Sequence, residues 1–93
     1  MTDYERRIFR RAINHYKPNN QMRQLLEEMS ELQKEICKYL RGRDNIEKVT
    51  EEIADVQIML DQMVLIFSCG GKVQAARSFK VHRLAERLNG GKE

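Results

Sequence analysis

Helix breakers are scarce in this chain: among 93 residues there are one proline and five glycines. With so few breaks, and with no alternating run of β-branched residues, the pattern excludes a strand-rich fold and predicts helices throughout. Cysteine is scarce as well. Cys37 and Cys69 allow one disulfide at most, which excludes a stapled scaffold and leaves two free thiols in a reducing cytoplasm as the expectation. Long apolar runs are also missing. The longest, residues 58–67, is interrupted by Asp61 and Gln62 and is too short to span a bilayer. Residues 1–11 are heavily charged and lack the apolar core of a signal peptide. These absences predict one cytoplasmic domain, residues 1–93, with no membrane partner.

What is present is modest in amount and uneven in placement. A chain this short buries only about 60–65% of the surface its unfolded form exposes, so its own core is thin and oligomerisation is expected to supplement it. The net charge is +3. That suits an anionic partner but is too small to indicate nucleic acid. Acids crowd the middle of the chain, and bases dominate both ends.

Four helices are expected. Thr2 and Glu5 form a capping-box pattern that starts a first helix running to about residue 16. Lys17-Pro18-Asn19-Asn20 is a break, after which either asparagine can cap a helix of about 21–40. Met22, Leu25, Leu26, Met29, Leu32, Ile36 and Leu40 are spaced to bury one face of it. Gly42 supplies a left-handed stop, and Asp44, with Glu47 three residues on, is a cap for the third helix. That helix carries Val49, Ile53, Val56, Leu60, Met63, Val64 and Phe67 and ends at Gly70-Gly71. A basic helix of about 73–88 closes the domain, before a polar tail. The expected fold is all-α and four-helix-bundle-like, with the two central helices antiparallel.

Those central helices repeat one pattern. Leu25-Leu26-Glu27-Glu28-Met29-Ser30-Glu31-Leu32 matches Val49-Thr50-Glu51-Glu52-Ile53-Ala54-Asp55-Val56 position for position. Helical phase turns Glu27 and Glu51 away from the buried stripe and sets Glu28 and Glu52 at its edge. Glu31 and Asp55 lie further round on the same side. A single Glu-x-x-Glu carries almost no signal, because soluble helices are rich in glutamate. Glu27, Glu35, Glu47 and Glu51 read as solvated, or as paired with Arg23, Lys38 and Lys48. The duplicated quartet is different: four carboxylates beside a buried face lose hydration and repel one another unless divalent cations occupy the cluster. All-oxygen ligation without a nearby imidazole or thiolate selects a hard ion, Mg²⁺, with Mn²⁺ as a substitute. A di-iron carboxylate bundle requires Glu-x-x-His on two helices, and neither His15 nor His82 has a glutamate at that spacing.

At these residues the sequence resembles the MazG-like all-α nucleoside triphosphate pyrophosphohydrolases, related to the dimeric dUTPases. Their EExxE motif stands here as Glu27-Glu28-Met29-Ser30-Glu31 and their ExxD as Glu52-Ile53-Ala54-Asp55. The similarity extends over residues 20–88 and is closest to the short single-domain forms of bacteria and phages. The resemblance implies cleavage of a nucleoside triphosphate between its α and β phosphates, giving monophosphate and pyrophosphate. It implies that Glu28, Glu31, Glu52 and Asp55 hold the Mg²⁺ and carry the catalysis, one of them, Glu28 or Glu31, accepting a proton from water. Dimers or tetramers are the family's assembly.

Lys80, Arg83 and Arg87 fall at i, i+3 and i+7, along one face of the closing helix. The resemblance supports phosphate binding there; a solvated basic helix balancing the acids is the other reading. Lys38 and Arg41 are further candidates for phosphate. Asn20 and Gln21 stand where relatives place a polar residue near the nucleoside, and N-capping is the competing role for Asn20. Tyr16 and Tyr39 could stack on a base, with packing at helix ends as the competing role, and His15 and His82 read as surface or interface residues. A helical nucleic-acid-binding or interaction module without catalysis is the alternative function. Against nucleic acid, no helix-turn-helix pattern is visible, and a groove-reading helix is not expected beside an acidic cluster.

Overall fold

A computed structural model describes residues 1–90. It is all-α: helices α1 (Asp3–Tyr16), α2 (Pro18–Leu40), α3 (Ile46–Phe67) and α4 (Gly70–Leu88), with no strand among the described residues. None of these helices is long and apolar enough to cross a membrane.

The helix ends explain the boundaries. The capping box at the start of α1 forms: Glu5 N donates to Thr2 Oγ1 at 3.1 Å and Thr2 N to Glu5 Oε1 at 2.7 Å. No asparagine caps α2. Pro18 starts the helix, where its missing N–H is no loss, and Lys17 takes a positive φ of 81° to make the turn. Asn20 instead closes the preceding helix, donating from Nδ2 to Tyr16 O at 2.7 Å. Gly42, at φ 94°, ends α2 in a left-handed turn with Gly42 N bonded to Tyr39 O at 2.9 Å and Arg43 N to Lys38 O at 3.1 Å. Asp44 does not cap α3, which begins one residue later, after Asn45. Asn45 uses its side chain elsewhere, as described below.

The corner between α3 and α4 has two residues. Ser68 is left-handed (φ 50°, ψ 43°), with Ser68 N on Leu65 O at 3.3 Å and Cys69 N on Val64 O at 3.2 Å. Gly70 and Gly71 do not end α3; they form the first turn of α4, three residues earlier than the sequence pattern suggests. The lack of a side chain at Gly70 serves close packing, since a Cβ there would sit 3.3 Å from Val64 Cγ1.

Helices α2 and α3 form an antiparallel hairpin: Gln21 meets Gln62, Glu28 meets Glu52, and Glu35 meets Asn45. Helix α1 lies across both and buries Phe9. Helix α4 packs only on α3, near their shared corner, and contributes no buried residue. Hence the four helices do not close around one core within the chain. The radius of gyration is 16.3 Å, against about 12 Å for a compact domain of this length.

The hairpin seam takes only part of the aliphatic stripe expected from the sequence: Met63 is buried, and Met22, Leu25, Leu32, Val49, Val56 and Val64 are half-buried. Buried there are Gln21 and Glu35 from α2, and Glu52, Met59, Gln62 and Met63 from α3. The stripe residues Leu26, Met29, Ile36 and Leu40 on α2, and Ile53, Leu60 and Phe67 on α3, remain exposed. At 100° per residue the two faces differ by roughly a quarter turn on each helix. The more polar face is used inside the chain, and much of the apolar one is left open.

Candidate functional site

The acid cluster forms where the two copies of the repeat face each other across the seam. One carboxylate oxygen from each of Glu28, Glu52 and Asp55 lies within 4.8 Å of the other two. Glu52 is buried, at 6% exposure, while Glu28 is half-buried and Asp55 open to solvent. Glu52 Oε2 is buried and has no hydrogen-bond partner. Its other oxygen has only the exposed Lys48 ammonium at 3.8 Å, one helical turn away. An uncompensated carboxylate oxygen in such a place is costly by itself, about 1–3 kcal/mol or more.

The electrostatics of Glu28 carry the same strain. Its pKa is raised, first by burial, then by the neighbouring Asp55 carboxylate and the charge of Glu52. Gln24 acts in the opposite direction, donating from Nε2 to Glu28 Oε1 at 2.9 Å. Gln24 was not singled out from the sequence. Its position one turn before Glu28 was the available signal.

Glu31 does not join the group. It is exposed and lies one turn beyond Glu28 on α2. Helical phase placed both Glu28 and Glu52 at the edge of the stripe; Glu28 is half-buried, whereas Glu52 is buried in the seam, and Glu27 and Glu51 are exposed as expected. Of the two acids further round, only Asp55 converges on them. Glu35, expected in solvent or paired with lysine, is paired with Lys38 at 3.2 Å but buried. Asn45 Nδ2 donates both to Glu35 Oε1 and to Glu35 O, each at 2.9 Å. The Asn45 hydrogen bond is the main reason the Glu35 pKa is lowered, with Lys38 adding to it.

The remaining candidates are dispersed. Lys38 is engaged by Glu35, and Arg41 is exposed beyond it at the end of α2. Lys80, Arg83 and Arg87 are exposed on α4, which packs against neither α1 nor α2. Lys80 and Arg83 make no ion pair with the acids. Gln21 is not open to a ligand: it is buried, and its Nε2 donates to Gln62 Oε1 at 2.6 Å. Asn20 is exposed, with Arg23 donating to its Oδ1 at 3.0 Å in addition to its bond to Tyr16. Tyr16 and Tyr39 are both exposed, and the Tyr16 ring meets His15 edge-on with centroids 4.7 Å apart. His82 pairs with Glu86 on the surface of α4 at 3.0 Å.

Comparison with protein-family models, with curated proteins and with solved structures matches none of them. The MazG-like resemblance therefore rests on the motif residues of the sequence alone.

Proposed function

We propose that this protein is a divalent-cation-dependent nucleoside triphosphate pyrophosphohydrolase, acting on (d)NTPs to give (d)NMP and pyrophosphate. The observation that carries the reading is the unpartnered, buried Glu52 Oε2 in a group of three converging carboxylates. A hard cation is the partner such an oxygen lacks, and the donor set contains oxygen alone, as Mg²⁺ or Mn²⁺ prefers. Glu28, Glu52 and Asp55 would hold it. Glu31, exposed one turn along the same helix, has the freedom to swing in as a fourth ligand.

A bound cation supplies Lewis acidity toward phosphate oxygens and offsets their charge. The protein's own carboxylates orient the attacking water and take up its proton. Glu28, half-buried beside Asp55 and Glu52, is the proposed acceptor of that proton. Water adds to phosphorus, the Pα–O–Pβ anhydride bond breaks, and pyrophosphate leaves with the bonding electron pair. Lys80, Arg83, Arg87 and Lys38 are proposed to neutralise phosphate charge, and Asn20 to lie near the nucleoside. A homodimer or homotetramer is the proposed assembly.

The test is to incubate the full chain with Mg²⁺ and a panel of canonical and deaminated (d)NTPs, assaying pyrophosphate and monophosphate. The expected result is stoichiometric formation of both, with Glu52→Gln reduced at least about 100-fold. No cleavage of any triphosphate, or a Glu52→Gln chain as active as the parent, would sink the proposal. A second reading, an interaction module without catalysis, is favoured by the wholly exposed, basic α4. Binding to a nucleic acid or protein partner that survives Glu52→Gln, with no hydrolysis, would support it.

A further inference from the structure

We infer that α4 of a second copy of this chain seats on the open apolar face of the α2–α3 hairpin, each copy giving its α4 to the other. The inference goes beyond the proposed chemistry and does not depend on it.

Two apolar surfaces are left open in the single chain. The first is the hairpin face, where Leu26, Met29, Leu32, Ile36 and Val56 line a groove of about 540 Å³. Leu26 is 65% exposed although it lies in the middle of its helix. The second is a stripe on α4. Val73, Val81, Leu84 and Leu88 fall within about 80° of one another on the helix, and all four are at least 46% exposed. The stripe spans 15 residue steps, or about 22 Å of helix, a length that suits the row from Leu26 to Leu40 on α2, about 21 Å.

The chain cannot cover one surface with the other. The two-residue corner at Ser68 and Cys69 is closed by its own hydrogen bonds, and Gly70 is packed on Val64, so the direction of α4 is set. Folding it back would dismantle that corner. A second copy meets no such constraint. Two grooves placed face to face would leave α4 bare, whereas reciprocal exchange of α4 covers both surfaces through one self-complementary contact, which a two-fold axis closes.

The area agrees. The chain exposes 7687 Å², whereas a compact folded monomer of this mass exposes about 5,600 Å². The excess, about 2,000 Å² per copy, is the amount that obligate homodimers hide. Charge permits the contact too. The groove is lined by apolar and neutral residues; on α4, Lys80 lies at the margin of the stripe and Arg77 within it, where its aliphatic stem can lie along the contact while the guanidinium reaches water.

Sedimentation velocity of the full chain, with far-UV circular dichroism as a check on folding, tests the arrangement. The expected results are a dimer for the wild type at micromolar concentration, and dissociation constants at least about thirtyfold higher for Leu84→Asp and for Leu26→Asp. Neither residue is buried in the single chain, so helicity should be retained. A monomeric wild type overturns the inference. A Leu26→Asp monomer beside a Leu84→Asp dimer also overturns it, as the signature of groove-to-groove contact. So does loss of the dimer in Leu84→Asp alone, which would place α4 elsewhere. A monomeric wild type that binds anionic phosphatidylserine vesicles through α4 would reassign the stripe to a lipid surface.

Should either aspartate variant lose helicity, cysteine trapping decides. In a Cys37→Ser, Cys69→Ser background, single-cysteine chains carrying Met29→Cys and Leu84→Cys are mixed in equal amounts under mild oxidation. A disulfide joining the two different chains, in excess of same-chain pairs, is expected, and its absence counts against the exchange.

Discussion

Glu52 combines two properties that rarely coexist in a carboxylate: burial and an oxygen with no partner. Without a cation the residue opposes folding, because its Oε2 is buried without a partner and its charge is held near Glu28 and Asp55. Glu52→Gln is therefore expected to raise metal-free stability by about 1–2 kcal/mol while removing activity. Urea denaturation in EDTA reads this directly. In the parent chain, Mg²⁺ at a hundredfold its dissociation constant should add about 2.7 kcal/mol. The Glu52→Gln chain should be nearly indifferent to it. Equal Mg²⁺ responses in the two chains would remove Glu52 from the metal site.

Glu35 shows the opposite electrostatics on the same helix. Asn45 and then Lys38 hold its pKa below the ordinary 4.5, so the folded state binds its proton more weakly than the unfolded state does. Its stabilising contribution is thus complete above the unfolded carboxyl range and fades as pH falls through the lower, folded value. Asn45→Ala should be less stable than the parent at neutral pH, with the difference shrinking below about pH 4. A difference that stays constant from pH 7 to pH 3 would show that the Asn45–Glu35 bond does not act through ionisation.

At the scale of the element, stability is set at the turns. Gly42 has open space where a Cβ would go, so the cost of a side chain there is that of its backbone alone. Gly42→Ala is expected to lose about 1–2 kcal/mol, and Ser68→Gly, at the left-handed corner before α4, to gain up to about 1 kcal/mol. Chemical denaturation of the two variants measures both. A neutral Gly42→Ala would mean that the α2–α3 turn relaxes to another conformation.

The helices themselves were legible from the scarcity of breakers, and so were the capping box at Thr2 and the stop at Gly42. Their exact starts were less so, because Pro18 and Gly70 each do at a first turn what they more often do at a break. Periodicity shows which residues share a face but not what covers it. The aliphatic rows of α2 and α3 were plain in the sequence, yet the chain folds largely on the more polar row beside them. The seam so formed joins residues distant in sequence, such as Gln21 and Gln62, 41 apart, and no local pattern can announce it. The acid site was more readable, since its two halves are copies of one motif. Glu28 and Glu52 could be placed by phase. Glu31 and Asp55 occupy equivalent positions, and only the packing of the hairpin distinguishes them.

For the molecule as a whole, covering of the open surfaces by a second copy, as inferred above, would add to the stability of the fold. A hairpin joined through a polar seam, crossed by α1 and flanked by a bare α4, has little apolar burial of its own: among the described residues the buried hydrophobic side chains are Phe9, Met59 and Met63. Burial of the exposed aliphatic rows by a second copy would then supply much of the free energy that holds the hairpin together. The midpoint of thermal unfolding should accordingly rise with protein concentration, as it does for any native state that exists as a dimer and unfolds to separate chains. Leu84→Asp should lower that midpoint and flatten its dependence on concentration, although the residue touches no core in the single chain. Calorimetric scans over a hundredfold range of concentration distinguish the cases. A wild-type midpoint that does not move would mean that three buried side chains and a polar seam suffice to hold the fold, and that α4 serves some other partner.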